Sequence, residues 1–299
     1  MAIVPGYRVF NVTLLHKRWL TPSLMSCVFT GDQVEKMKMD GPDQRIKILF
    51  PSSNGLPSSL TDDADWWGQF RGLPPEQRPI SRTYTLRHVN AAESQMEVEF
   101  VIHGTEGPAS SWVLNAMPGD PLQMVAPNRE HKADSGGYEW KPATEIERAL
   151  IIADETALPA VKGILAQLDK MPLAPQVQVF QEIPSEDDII DLGHYTFAEI
   201  VWLPRDRMNA PHGTALLQAV KERVLVPEYA TDTCDNDDNE AEHEVLWQSA
   251  AAINNRFYGW VAAESSAVKH LRRYLVGERK VAPEVMSFMA YWCKGKGYF

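Results

Sequence analysis

The spacing of apolar residues changes partway along the chain, and that change limits the fold more than any other feature. Before about residue 145 the apolar positions fall in short runs separated by turn residues: VFNVTLLHKRWL, SLMSCVFTG, RIKILFP, SRTYTLRHV, QMEVEFVIHG and PLQMVAP. Runs of that length and spacing predict a small antiparallel β-barrel. From about residue 146, strand-like and helix-like runs alternate: ERALIIAD, TALPAVKGILAQLDK, QVQVFQEI, AEIVWLP, GTALLQAVKERV, RFYGWVAAE and SSAVKHLRRYLVGE. That order predicts a parallel sheet wound by helical crossovers. The turn-rich stretch HKADSGGYEWKPATE over 131–145 parts the two, so the expected domains are 1–142 and 143–299. A chain of 299 residues can bury a core in each.

Composition narrows the function. The three cysteines, Cys27, Cys234 and Cys293, are far apart, and the eight histidines show no H-E-x-x-H spacing, so no protein-bound metal is expected. With 29 basic against 40 acidic side chains the formal net charge is −11, which argues against nucleic acid as a partner. Much of the acid is local, in EDDIID over 186–191 and DTCDNDDNEAEHE over 232–244. The second lacks the central glycine and ligand spacing of a calcium loop and reads as a solvated loop. No apolar run approaches the roughly 20 residues that span a bilayer. The opening MAIVPGYRVF lacks the regions of a secretory signal. The expectation is a cytoplasmic monomer with no membrane insertion.

Three stretches invite a ligand. In SRTYTLR, residues 81–87, a period of two puts Arg82, Tyr84 and Leu86 on one strand face and Thr83 and Thr85 on the other. Leu86 suits a core; an arginine and a tyrosine beside it suit either solvent or a bound planar anion. In HGTEGPASSWVLNAMPGD, residues 103–120, glycines precede an apolar run. A short helix opening at Ala109 or Ser110 would aim free N–H groups at an anion such as a pyrophosphate, or the stretch is an ordinary capped turn. Residues 51–79 form a long loop without periodicity, in which Trp66, Trp67 and Phe70 argue for docking on something.

SRTYTLR, VIHGTEGPASSW, IIADETALPA, VWLPR, YGWVAAESSAVKHLRRYL and YWCKG resemble, in that order, the siderophore-interacting proteins, ferric-siderophore reductases related to the ferredoxin–NADP reductases. The resemblance implies an antiparallel β-barrel domain for FAD, followed by a parallel-sheet α/β domain for NADPH or NADH. Arg82 would meet the FAD phosphates and Tyr84 would stack on the flavin. Thr85 would bond near its reactive edge, which requires a twist or bulge because Thr85 shares the opposite face with Thr83. Val101, His103, Gly107, Pro108, Ala109, Ser110 and Ser111 would cover the ribityl chain and pyrophosphate. Tyr84 and Thr85 would lie nearest the chemistry.

The second domain departs from the usual dinucleotide signature. Where G-x-G-x-x-G would follow its first strand, ADETALPA over 153–160 contains no glycine, and Asp154 and Glu155 would repel a pyrophosphate. Thr156, with Ala157 beside it, could meet the nucleotide, although Thr156 and Pro159 serve equally as cap and first-turn residues. Arg205, Glu264, Lys269 and Arg272 are the remaining nucleotide candidates. Lys269, Arg272 and Arg273 share a polar helix face opposite the stripe of Val268, Leu271 and Leu275. The resemblance also implies a ferric siderophore as substrate, met by a basic cluster at Lys47, Arg129 and Lys294. Reduction would release Fe(II). The alternatives are an FAD-containing siderophore-binding protein without nicotinamide turnover and a general flavin reductase.

Overall fold

The computed structural model describes residues 4–61, 65–105, 107–208, 210–231, 246–251 and 256–295. The chain divides into two compact units, Met1–Tyr138 and Glu139–Phe299.

The first unit is a closed six-stranded barrel. Its strands are β1 (Tyr7–Thr21), β2 (Leu24–Thr30), β3 (Arg45–Phe50), β4 (Ile80–Asn90), β5 (Gln95–Val101) and β6 (Pro121–Pro127), joined in the order β1-β2-β5-β4-β3-β6. Closure leaves no unpaired strand edge. Alternation along each strand sends Phe10, Phe29, Ile48, Phe50, Val98, Phe100 and Met124 into one core. Between β3 and β4 a short helix, α1 (Trp66–Gly72), is capped by Asp65, whose carboxylate accepts Gly68 N–H at 3.0 Å. Trp66 and Phe70 pack with Leu60 over Val9, Leu49 and Val125, so the aromatic loop residues dock on the barrel's own outer surface. Helix α2 (Pro108–Asn115) packs Ala109 and Val113 into the barrel core; it starts at Pro108, one residue before the expected opening.

The second unit holds a six-stranded sheet in the order β10-β12-β11-β7-β8-β9. Its strands are β7 (Arg148–Ala153), β8 (Gln176–Ile183), β9 (Ala198–Pro204), β10 (Trp247–Gln248), β11 (Phe257–Glu264) and β12 (Met286–Trp292). All neighbours pair in parallel except β10 on β12. β8 and β9 add to one side of β7, β11 and β12 to the other, so strand order reverses between β7 and β11, where open α/β sheets form their crevice. Helix α3 (Leu158–Leu168), entered through a 3-10 turn at Glu155–Ala157, packs on one sheet face. A four-residue turn, α4 (Arg205–Met208), leads toward α5 (Thr214–Arg223). Helix α6 (Ser265–Arg272) runs on as a π-helical turn over Arg273–Glu278, and α5 and α6 cover the other face. Gly213, which caps α5, needs to be glycine twice over: its φ is +80°, and a Cβ there would lie 2.4 Å from the Ala267 Cβ at the start of α6. β10 and β12 were not among the strands expected from sequence, and the acidic stretch 232–244 lies outside the described residues.

Candidate functional site

On β4 the expected alternation holds. Tyr84 pairs with Ile46 and Arg82 with Ile48, both core residues, so Arg82, Tyr84 and Leu86 share the inner face. The Tyr84 ring lies 4.6 Å from that of Phe100 on β5 and 6.5 Å from that of Phe50, and remains partly exposed. Burial pushes its phenol pKa up against the pull of Arg82. Val101 ends β5 opposite Leu24, and His103 lies exposed just beyond. Phe50 also contacts Trp112 of α2, at 6.1 Å. Tyr84, Phe50, Phe100 and Trp112 of α2 thus form one chain of aromatic contacts, with Arg82 on the same face of β4 as Tyr84.

The opening of α2 is bare. Its cap, Gly107, offers no side-chain acceptor, and a Cβ there would meet nothing nearer than Ser110 Oγ at 4.0 Å; at Gly104, φ +64°, a Cβ would meet nothing. Pro108 supplies the fixed φ of a first helical position and has no N–H. Ala109 and Ser110 are buried, so Ala109 can meet a ligand only through its backbone, while Ser111 is half-buried. An arginine, a partly open aromatic ring and a helix start without a side-chain cap fit the phosphates and planar ring of FAD.

The other face of β4 carries Thr83 and Thr85. Thr83 is exposed and accepts a bond from Lys47 Nζ at 3.2 Å, and Thr85 is buried across from Arg45. The register shift in β4 comes later, between Leu86 and His88, so no bulge turns Thr85 toward the Tyr84 side. Burial, with Arg45 nearby, holds the Lys47 ammonium below its ordinary pKa. Arg129, beyond β6, points its guanidinium at Met37 O, at 3.2 Å from Nε and 3.1 Å from one terminal nitrogen. Lys294 belongs to the second unit, where it is exposed and its N–H donates to Glu264 at 3.2 Å.

In the second unit the strand ends are lined with acids. Asp154, 2% exposed, accepts Thr156 N–H at 2.9 Å, the Thr156 hydroxyl at 2.5 Å, Glu264 N–H at 2.9 Å and the Trp292 indole N–H at 2.7 Å. Burial and the neighbouring Glu155 push its carboxyl pKa up, against hydrogen bonds from Thr156 and Trp292 that pull it down. Burial would raise Glu155 too, but His212 and Arg205 outweigh it and hold that carboxyl low. Arg205 grips both Glu155 oxygens at 2.6 Å and reaches Glu182 at 3.1 Å. Its guanidinium is thus shared between two buried carboxylates. Ala157 is fully buried in the core against α3 and presents nothing to a ligand. Thr156 is spent on Asp154, and Glu264 caps α6, accepting Ser266 N–H at 2.7 Å and Ala267 N–H at 3.3 Å. Arg272 donates to Gln248 at 2.9 Å, and Lys269 is half-buried on α6. Reading along the chain did not find Glu182, His212 or the Trp292 bond to Asp154. Among the described residues no group of three or more His, Cys, Asp or Glu is arranged to hold a metal ion, and no helix is long and apolar enough to cross a membrane.

A closed barrel with an open helix start, followed by a wound parallel sheet, is the build of a two-domain flavoprotein of the ferredoxin-reductase type. A family model for the siderophore-interacting FAD-binding domain matches residues 13–131, and one for the siderophore-interacting protein matches 146–295. The chain belongs to the siderophore-interacting protein family, and its barrel is that family's FAD-binding domain. It is 27% identical to the ferric vibriobactin reductase ViuB of Vibrio cholerae, over 94% of this chain and 88% of that protein. It is 24% identical to the NADPH-dependent ferric-chelate reductase of Escherichia coli, over 95% and 93%. Among solved structures, a siderophore utilization protein from T. fusca aligns with a TM-score of 0.71 at 24% identity, over 97% of this chain and 95% of that one.

Proposed function

We propose that the protein is an FAD-dependent reductase of ferric iron held in a siderophore, driven by NADPH or NADH. The observation that carries the reading is the pairing of Arg82 and Tyr84 with the bare start of α2, inside a domain of this family. FAD, when bound, would supply the redox chemistry that carries the two electrons of a reduced nicotinamide to two equivalents of Fe(III). Tyr84 offers its partly exposed ring as a platform. Arg82 sets a fixed positive charge beside it, and the amides that open α2 receive phosphate. No side chain has to shuttle a proton at the iron. Lys47 and Arg129 of the barrel unit and Lys294 of the second unit are the cations this reading assigns to an anionic chelate. The same reading takes 1–142 as the flavin domain and 143–299 as the nucleotide domain, working as a cytoplasmic monomer.

An anaerobic visible spectrum tests it. Flavin bands that bleach on adding NADPH or NADH and return with a ferric siderophore are the expected outcome. Bands that neither nucleotide bleaches would instead favour a flavin-containing siderophore binder. A protein that cannot be loaded with FAD would sink the assignment of Arg82 and Tyr84.

A further inference from the structure

We propose that Asp154, buried where β7 ends, is a positioning residue for the exposed Lys294, and that it acts by locking the end of β12 through the indole of Trp292. The inference rests on the reductase reading, in which Lys294 meets an anionic ferric chelate.

β12 ends on a bulge. Ala290 pairs with Ala263, but the next residue of β11, Glu264, pairs with Trp292, so Tyr291 is an extra residue on the β12 side. Bulges re-aim side chains at strand ends. Here the Trp292 indole turns its N–H to Asp154 Oδ2, at 2.7 Å, and the same oxygen accepts Glu264 N–H at 2.9 Å. One carboxylate oxygen therefore ties the ends of β11 and β12 to that of β7. The His212 ring closes edge-on against the indole, with 4.9 Å between centroids and 83° between planes. Two residues further on, Lys294 N–H donates to Glu264 Oε1 at 3.2 Å, while the other oxygen of that carboxylate holds the first amides of α6. The chain is thus fastened on both sides of Cys293, by a side chain at Trp292 and by the backbone at Lys294.

The two oxygens of Asp154 divide the work. Oδ1 takes Thr156 N–H and its hydroxyl, which is a local cap for the turn into α3. Oδ2 faces the other strands, and its bond to Trp292 spans 138 positions of the chain. A cap needs only the first oxygen; the second fixes the segment that carries Lys294. A lysine on a loose turn loses backbone and side-chain freedom when it meets a ligand, and a turn already fastened has less to lose. Asp154 therefore acts on an anionic chelate through the placement of the Lys294 charge, without touching the chelate itself.

Calorimetric titration of the FAD-loaded, full-length protein with a gallium(III) tris(catecholate) tests this. That complex has the charge and shape of its ferric counterpart and is not reduced, so binding is read apart from turnover. Lys294→Ala is expected to weaken binding about three- to tenfold through loss of one exposed charge. Trp292→Phe keeps a ring against His212 and removes only the N–H that Asp154 accepts; it is expected to weaken binding about threefold, and Asp154→Asn to match it. The double variant Trp292→Phe with Lys294→Ala should bind no more weakly than Lys294→Ala alone, because a lock without its lysine has nothing to place. If Trp292→Phe and Asp154→Asn bind like the native protein, or if their losses add to that of Lys294→Ala, this inference is overturned and the role of Lys294 stands. Native affinity in Lys294→Ala would overturn both the inference and that role. A native protein that does not bind the gallium complex would take the siderophore reading down with them.

Discussion

Two helices of eight residues each, α2 and α6, open in opposite ways, and the contrast separates the two units of the protein. In the barrel unit α2 begins at a glycine with no side chain to cap it. In the sheet unit α6 begins at Glu264, whose carboxylate occupies its first amides. The same backbone geometry therefore leaves the first amides without a side-chain acceptor in one place and fills them with a carboxylate in the other. A helix start that supplies its own acid gains stability. One that lacks it keeps its amides for a ligand.

The largest effect should come from breaking the acid framework of the sheet unit. Arg205→Met would leave Glu155 and Glu182 buried without their cation, at a cost of roughly 3–5 kcal/mol. Thermal unfolding should show the sheet unit melting on the order of 10 °C lower. An unchanged melting curve would mean that the carboxylates do not depend on the arginine. Next, Arg82→Ala should weaken FAD binding by roughly 10–100-fold through loss of a charge-assisted contact, read by fluorescence titration of the apoprotein. Equal affinity would remove Arg82 from the cofactor site.

Gly107→Asp sharpens the comparison, because it gives α2 the kind of opening that α6 has. Gly107 has the extended φ of −72° and ψ of 140° that a capping aspartate adopts, and a Cβ there has room. The substitution should hold or raise thermal stability by a few tenths of a kcal/mol. FAD affinity should fall about tenfold as a carboxylate competes for the amides. FAD affinity that stays level would mean that the start of α2 is not where the phosphates lie.

The smallest effect concerns pH. Glu155 has a folded pKa below its ordinary value, so the stability it contributes is present above the usual glutamate range and is lost as pH falls through that range toward its folded pKa. Asp154 works in the opposite sense: its raised pKa opposes folding once pH exceeds the ordinary aspartate range, and the penalty is relieved on acidification. Glu155→Gln should therefore flatten the acid side of the stability profile, measured as melting temperature between about pH 5 and 3. If the slope is unchanged, the Arg205 pairing does not govern acid stability.

Most of the architecture was legible because it rests on local repetition. Alternation in RIKILFP and SRTYTLR places Ile46, Ile48, Tyr84 and Leu86 on one face, and pairing across β3 and β4 brings those faces together. The short strand β10 was not legible, since two residues carry no period. Trp292 closes β12, yet only the fold shows that its indole reaches Asp154, far earlier in the chain. Arg205 looked like a ligand for the nucleotide because a cation just after a strand is all that its neighbourhood displays. Its partner Glu155 lies fifty residues earlier, at the end of another strand.

By itself the sequence determined the two kinds of sheet and which side chains of β4 share a face, both consequences of residues within a few positions of one another. Only the tertiary structure decided which charges are spent. Asp154, Glu182 and Glu264 are acids of ordinary appearance in three separate runs, and parallel pairing of β7, β8 and β11 brings them to one edge over three helix starts. Coulomb energy and hydrogen bonding depend on distance through space, and that distance exists only once the strands are in register.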